Sequence, residues 1–129
     1  MISVVIATYN GALFIEEQLK SIENQDLIPD EVIISDDCSN DNTLKIIKKF
    51  SVKSKLNINI LKNNIRLGYA KNFERGLLVC KGDYVFLSDQ DDVWFPSKIS
   101  FMFNLAIQNP DSLCLLNNAL IVDSSLKTL

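Results

Sequence analysis

Apolar and polar positions alternate between two rhythms along this chain. Ser3 to Ala7 is a continuous run built on the β-branched Val4, Val5 and Ile6, which predicts a strand buried on both faces. Asn10-Gly11 breaks it, and Phe14, Ile15, Gln18, Leu19 and Ile22 then recur at helical spacing, predicting a helix to about Asn24. Pro29-Asp30 marks a turn, and Glu31 to Ser35 forms a second buried strand. The polar loop from Asp36 to Asn42 is rich in N-cap residues, and Leu44, Ile46, Ile47 and Phe50 make the face of a second helix. Ile58, Ile60 and Leu61 predict a third strand. After Asn63-Asn64 turns the chain, Ala70, Phe73 and Leu77 define a third helix, which Gly82 is expected to end. Asp83 to Ser88 reads as a fourth strand. Pro96 fits the first position of a helix carrying Ile99, Met102, Phe103 and Ala106, and Leu113 to Val122 is expected to form a fifth strand, interrupted at Asn117-Asn118.

Strand–helix alternation of this kind predicts an α/β fold: a mostly parallel sheet with helices on both faces. No repeat or linker divides residues 1–129, so one domain is expected. At 47% hydrophobic and 22% charged, the composition is that of a globular chain. A net charge of −3 without a basic stripe argues against nucleic acid as a partner. No apolar run is long enough to span a membrane, and the N-terminus lacks the basic start of a signal peptide. Three dispersed cysteines form no CxxC pair, which favours reduced thiols and a cytoplasmic setting. Histidine is absent, which removes Ser-His-Asp triads and His-containing zinc sites. The remaining chemistry rests on carboxylates, amides, hydroxyls and a hard cation.

In open parallel sheets ligands bind beyond the carboxyl ends of the strands. Three loops there are unusual: Thr8-Tyr9-Asn10-Gly11, Asp36-Asp37-Cys38-Ser39 and Asp89-Gln90-Asp91-Asp92. The last places three carboxylates within four residues, and they repel one another unless a cation or a retained proton intervenes. Hard oxygen donors on one short loop suit Mg²⁺ or Mn²⁺, which take one or two carboxylates and complete their shell with water and phosphate oxygens. The competing reading is a solvated acidic turn that caps the helix beginning near Pro96.

Four ordered blocks resemble family 2 glycosyltransferases, an inverting group with the GT-A (Rossmann-like) fold. Ser3-Val4-Val5-Ile6-Ala7-Thr8-Tyr9-Asn10 resembles the family's opening strand. Ile34 to Thr43 is similar to its second block, usually Asp-Asp-Gly/Ala-Ser-x-Asp-x-Thr, and Arg66 to Phe73 to a third segment. Leu87 to Ile99 resembles the DXD block, most closely in the branch of rhamnosyl- and other cell-surface polysaccharide transferases.

The resemblance implies a domain that binds a UDP- or dTDP-sugar and transfers the sugar, with inversion, to a saccharide or lipid-linked acceptor hydroxyl. It implies donor contacts from Thr8, Tyr9, Asn10, Asp36, Asp37, Arg66, Lys71, Asn72, Asp89 and Gln90, with Tyr9 stacking on the base and Asp37 accepting from it. Asp91, with Asp89, is implied as the ligand of a divalent Mg or Mn ion. Other readings stand beside these: a core-edge role for Tyr9, helix capping for Asp36 or Asp37, a solvated face for Arg66 and Lys71, and helix packing for Trp94. Cys38 replaces the family's small Gly or Ala, and an inert buried thiol is expected there. The family's acidic general base lies on a later segment, so the chain is expected to stop before the acceptor-side half. Asp123, the only acidic residue beyond Asp111, does not match the base motif. Peripheral membrane association of a longer protein stays open. Two other classes are weighed: a non-catalytic nucleotide-binding module, and a receiver-type signalling domain, which needs its acidic pair after the first strand.

Overall fold

The computed structural model describes residues 1–123 and 125–128. Its elements run β1 (Ile2–Thr8), α1 (Ile15–Glu23), β2 (Glu31–Asp36), α2 (Thr43–Lys53), β3 (Ile58–Lys62), α3 (Tyr69–Leu77), β4 (Tyr84–Asp89) and α4 (Lys98–Gln108). The strands form one parallel sheet in the order β3-β2-β1-β4. Register aligns Thr8 with Asp36 and Ala7 with Asp89, so the loops after β1, β2 and β4 leave the sheet side by side. The predicted α/β architecture is therefore the observed one. A receiver-type domain is excluded by topology, because it places β3 beside β1, whereas here β3 pairs with β2 and β4 takes the place beside β1.

Alternation along β1 sends its side chains to two cores. Ile2, Val4 and Ile6 pack with Ile15, Leu19 and Ile22 of α1, Ile47 of α2, and Trp94 and Ile99. Each such fully buried aliphatic side chain contributes about 1.5–3 kcal/mol. On the opposite face Val5, Ala7 and Ile33 meet Phe73 of α3. That face is thinner, and α3 comes close to it: a Cβ at Gly76 would stand 2.4 Å from Val5 Cγ1.

Three sequence expectations need correction. Helix α3 ends at Leu77, not at Gly82, because the Val79 and Cys80 N–H groups turn back to the Gly76 carbonyl. Gly82 instead lets the chain pass the start of β1, where a Cβ would lie 2.6 Å from Ser3 N. Pro96 precedes α4, whose N-cap is Ser97, and its carbonyl accepts from the Asp26 N–H at 2.9 Å. Leu113 to Val122 forms no fifth strand. Its side chains are largely exposed, and the one pairing among the described residues beyond α4 is an isolated antiparallel bridge between Val122 and Thr128.

Candidate active site

The three loops meet in a cleft of about 270 Å³ at the carboxyl end of the sheet, lined by Ala7, Thr8, Tyr9, Asp37, Arg66, Gly68, Tyr69, Asn72, Asp89, Gln90 and Asp91. Of the sequence-predicted residues, Thr8, Tyr9, Asp37, Arg66, Asn72, Asp89, Gln90 and Asp91 come together there. Asn10, Asp36 and Lys71 do not line it.

Asp37 organises one wall. Its Oδ1 accepts from Leu67 N (2.6 Å) and Asn63 Nδ2 (2.8 Å), and its Oδ2 from Gly68 N (2.8 Å). Burial disfavours the charge, but these donors and the nearby Arg66 guanidinium outweigh it and hold the carboxyl below its ordinary pKa. Gly68 sits at φ 83°, a left-handed conformation that favours glycine, and its carbonyl receives the Asn72 N–H in the first turn of α3. Asn72 is itself fully engaged: its Nδ2 donates to the Ser35 carbonyl at 2.7 Å, and its Oδ1 accepts from Ser35 Oγ (2.7 Å) and Asn63 Nδ2 (3.0 Å).

Tyr9 joins this wall through Arg66. The Arg66 guanidinium lies over its ring, 3.9 Å from the centroid, so one cation already stacks where a planar group fits. Gln90 pairs with the Tyr9 backbone in both directions, accepting from its N–H at 2.9 Å and donating to its carbonyl at 3.1 Å. This contact requires Gly11, since a Cβ there would stand 2.1 Å from Gln90 Oε1. Asp36 lies beneath the loops, buried, and binds Thr8 Oγ1 and the Ser39 N–H and hydroxyl. It fastens the first loop to the second. Asn10 helps from the surface: its N–H donates to Ser39 Oγ and its Oδ1 accepts from Asn40 N. Lys71 is exposed on α3.

The acidic loop closes the cleft. Asp89 ends β4 half-buried, and burial, Asp92 and Asp91 raise its pKa, an effect partly offset by the Tyr69 hydroxyl. Among the described residues no three acidic or thiol side chains assemble a complete metal cage. Asp91 also borders a second cleft of about 560 Å³, which includes Leu87, Asp92, Trp94, Lys98, Asn117 and Asn118. Trp94 is 5% exposed and packs against Phe86, which bears out helix-and-sheet packing rather than a free stacking platform. The Lys98 ammonium lies 4.2 Å from its ring centroid; burial lowers the Lys98 pKa, and Asp92 opposes that shift. Cys38 is half-buried and donates to the Asn63 carbonyl at 3.1 Å. Its φ of 64° explains why a smaller residue suits the position.

The fold is that of a GT-A domain. The sequence profile of glycosyl transferase family 2 matches residues 3–126, and the chain belongs to that family. It is 43% identical over 108 residues to the dTDP-rhamnosyl transferase RfbG of Shigella flexneri, covering 81% of this chain and 37% of that protein. The crystal structure of an S. aureus TarS fragment in complex with UDP superposes with a TM-score of 0.75 at 31% identity, covering 83% of this chain and 32% of that one. The mannosyltransferase PcManGT of Pyrobaculum calidifontis, solved with GDP-Man and Mn²⁺, gives a TM-score of 0.68 at 28% identity over 78% of this chain and 30% of its own. This chain thus spans about a third of the length of these relatives.

Proposed function

We propose that residues 1–129 form the donor-binding part of a glycosyltransferase that moves a sugar from a UDP- or dTDP-sugar to a saccharide or lipid-linked acceptor hydroxyl during cell-surface polysaccharide synthesis, with inversion at the anomeric carbon. The observation that carries this reading is convergence: a base-sized wall of Tyr9, Arg66 and Asp37 faces two loop carboxylates, Asp89 and Asp91, across one cleft. The relatives named above carry dTDP-rhamnosyl, UDP and GDP-Man in their names, which supports a nucleoside-diphosphate sugar as donor.

The base site is built from neutral and cationic groups around a buried carboxylate. Asp37 still has lone-pair capacity after its three internal bonds and accepts an imide N–H of a pyrimidine. Thr8 and Asn72 shape the floor. Asn10 and Asp36 support the loops rather than touch the nucleotide.

A divalent Mg or Mn ion fits this donor set. Asp89 and Asp91 are hard oxygen ligands on one loop, and the neighbouring Asp92 adds negative charge that favours a cation there. Two carboxylates without a third protein ligand match an ion whose shell is completed by diphosphate oxygens and water. Bound there, such an ion supplies charge neutralisation for the leaving diphosphate. Asp91 borders both clefts, so a sugar on the distal phosphate enters the second cleft, toward Asp92, Lys98 and Asn117.

Deprotonation of the acceptor is assigned to a carboxylate outside these loops. Asp123 is poorly suited, because its Oδ1 already accepts from Lys127 N, Ser125 N and Ser125 Oγ, which lower its pKa. Calorimetric titration of the chain with UDP, in Mn²⁺ and then in EDTA, tests the donor assignment. Tighter binding in Mn²⁺ is expected; equal affinity in both would remove the cation from the account.

A further inference from the structure

The acidic loop is gripped at both ends by a helix that contributes no lining to the cleft. Residues 89–92 carry three carboxylates, and their mutual repulsion works to spread the loop. At the near end, Gln18 Nε2 of α1 donates to Ser88 Oγ at 2.6 Å, and Ser88 Oγ donates onward to the Asp89 carbonyl at 2.9 Å. At the far end, the Trp94 N–H donates to Ser21 Oγ at 3.1 Å, and Ser21 Oγ is returned to Gln18, 2.8 Å from its carbonyl oxygen and 3.0 Å from its Oε1. One turn on, Gln25 uses its whole amide. Nε2 donates to the carbonyls of Phe95 (2.8 Å) and Ser21 (3.0 Å), and Oε1 accepts from the Ile99 N–H at 3.0 Å in the first turn of α4, where Ser97 provides no side-chain cap.

Gln18 is fully buried among Ile15, Leu19 and Ile22, and Gln25 is 4% exposed. A primary amide on the apolar face of a helix is costly unless its donors and acceptors are paired. These amides are paired, Gln18 with Ser88 on one flank of the loop and Gln25 with Phe95 and Ile99 on the other, and both with Ser21 between them. An apolar side chain would serve the core at least as well, so packing alone gives no reason for glutamine here.

We infer that Gln18, acting with Ser21 and Gln25, is a positioning residue for the diphosphate and its cation. It holds Ser88 and Trp94 at a fixed separation, so that Asp89 and Asp91 stay together against their own repulsion and present two oxygens at once. The ordering of the loop is completed before the ligand arrives, and affinity gains accordingly. The inference rests on the donor reading given above. Residues that orient metal ligands from behind typically contribute about 10- to 100-fold to metal affinity or activity.

The test uses the 129-residue chain with UDP, uridine and Mn²⁺ as probes, read by calorimetry. Gln18→Met keeps the volume and removes the donor to Ser88. Ser88→Ala breaks the same link from the strand side and serves if the first variant does not fold. Either variant is expected to weaken Mn²⁺-dependent UDP binding by about 10-fold or more while uridine affinity stays within about 2-fold. In an Asp91→Ala background the same substitution is expected to have no further effect on UDP. A merely structural glutamine gives a different pattern: UDP and uridine weaken together, or the loss persists without Asp91, and either result overturns the inference. Unchanged Mn²⁺-dependent UDP binding in both variants overturns it while leaving the donor reading intact. If the unsubstituted chain binds UDP equally in Mn²⁺ and EDTA, the donor reading falls first and takes this inference with it.

Discussion

Replacing Asp37 by asparagine isolates the charge that organises the base wall, because the side chain keeps its shape and loses one acceptor. In the structure three donors converge on the carboxylate: Leu67 N at 2.6 Å, Asn63 Nδ2 at 2.8 Å and Gly68 N at 2.8 Å. If asparagine keeps its oxygen toward Leu67 and Asn63, its NH₂ meets the Gly68 N–H, donor against donor. An unpaired buried N–H costs about 1–3 kcal/mol, and each surviving bond falls from charge-assisted to neutral strength, a loss of about 1 kcal/mol apiece. The expected destabilisation is about 3–5 kcal/mol, a large share of the roughly 5–15 kcal/mol available to a domain. With a urea slope of about 1–3 kcal/mol/M, the unfolding midpoint should fall by about 1–5 M. The sign with pH follows from the same contacts. Asp37 has a folded pKa below its unfolded value, so its stabilisation is complete above about pH 4 and is lost as pH falls through the folded value. The gap between the natural chain and Asp37→Asn should therefore narrow on acidification. Equal urea midpoints at neutral pH, or a gap indifferent to acid, would refute the assignment of this carboxylate as the organiser of residues 67–68.

Other substitutions probe the remaining walls. Gly11→Ala drives a Cβ into Gln90 Oε1 at 2.1 Å, so Gln90 should leave the Tyr9 backbone; the fold survives with a loss of about 1 kcal/mol in urea, while calorimetry shows weaker UDP binding. Cys38→Gly relieves a left-handed φ of 64° at a cost of one Sγ contact, and thermal melting should show a gain of about 1 kcal/mol. Gly76→Ala places a methyl 2.4 Å from Val5 Cγ1, where a branched core side chain has little room to yield, and should cost about 1–3 kcal/mol in the same assay.

Much of this architecture is legible in the residue pattern, because a strand buried on both faces reads as an unbroken apolar run. Residues 4–7 of β1 and 32–34 of β2 have that form. The loops after β1, β2 and β4 are legible through chemistry: Tyr9, Asp37 and Asp91 are residue types with few roles in common at strand ends. What the pattern hid was partnership across long separations. Asn63 reads as a turn residue, yet its amide joins Asp37 to Asn72. Tyr69 sits in a helical stripe, yet it lines the cleft beside Asp89. Gln18 occupies an apolar helix position, and its meaning appears only when Ser88, seventy positions away, is seen against it. The fifth strand failed for the converse reason. The apolar run in Leu113–Val122 promises a ladder, but pairing depends on what the segment packs against, which no local pattern reports.

The central claim is that one crevice reads the base through Tyr9 and Asp37 and the diphosphate through Asp89 and Asp91. A crystal structure of the chain with UDP and Mn²⁺, with anomalous data collected for manganese, tests it directly. The expected result is a manganese peak in contact with Asp91 and the diphosphate, with the uracil against Tyr9 and within hydrogen-bond reach of Asp37. Manganese away from both loop carboxylates, or a uracil seated in the second cleft beside Trp94 and Lys98, would contradict the account.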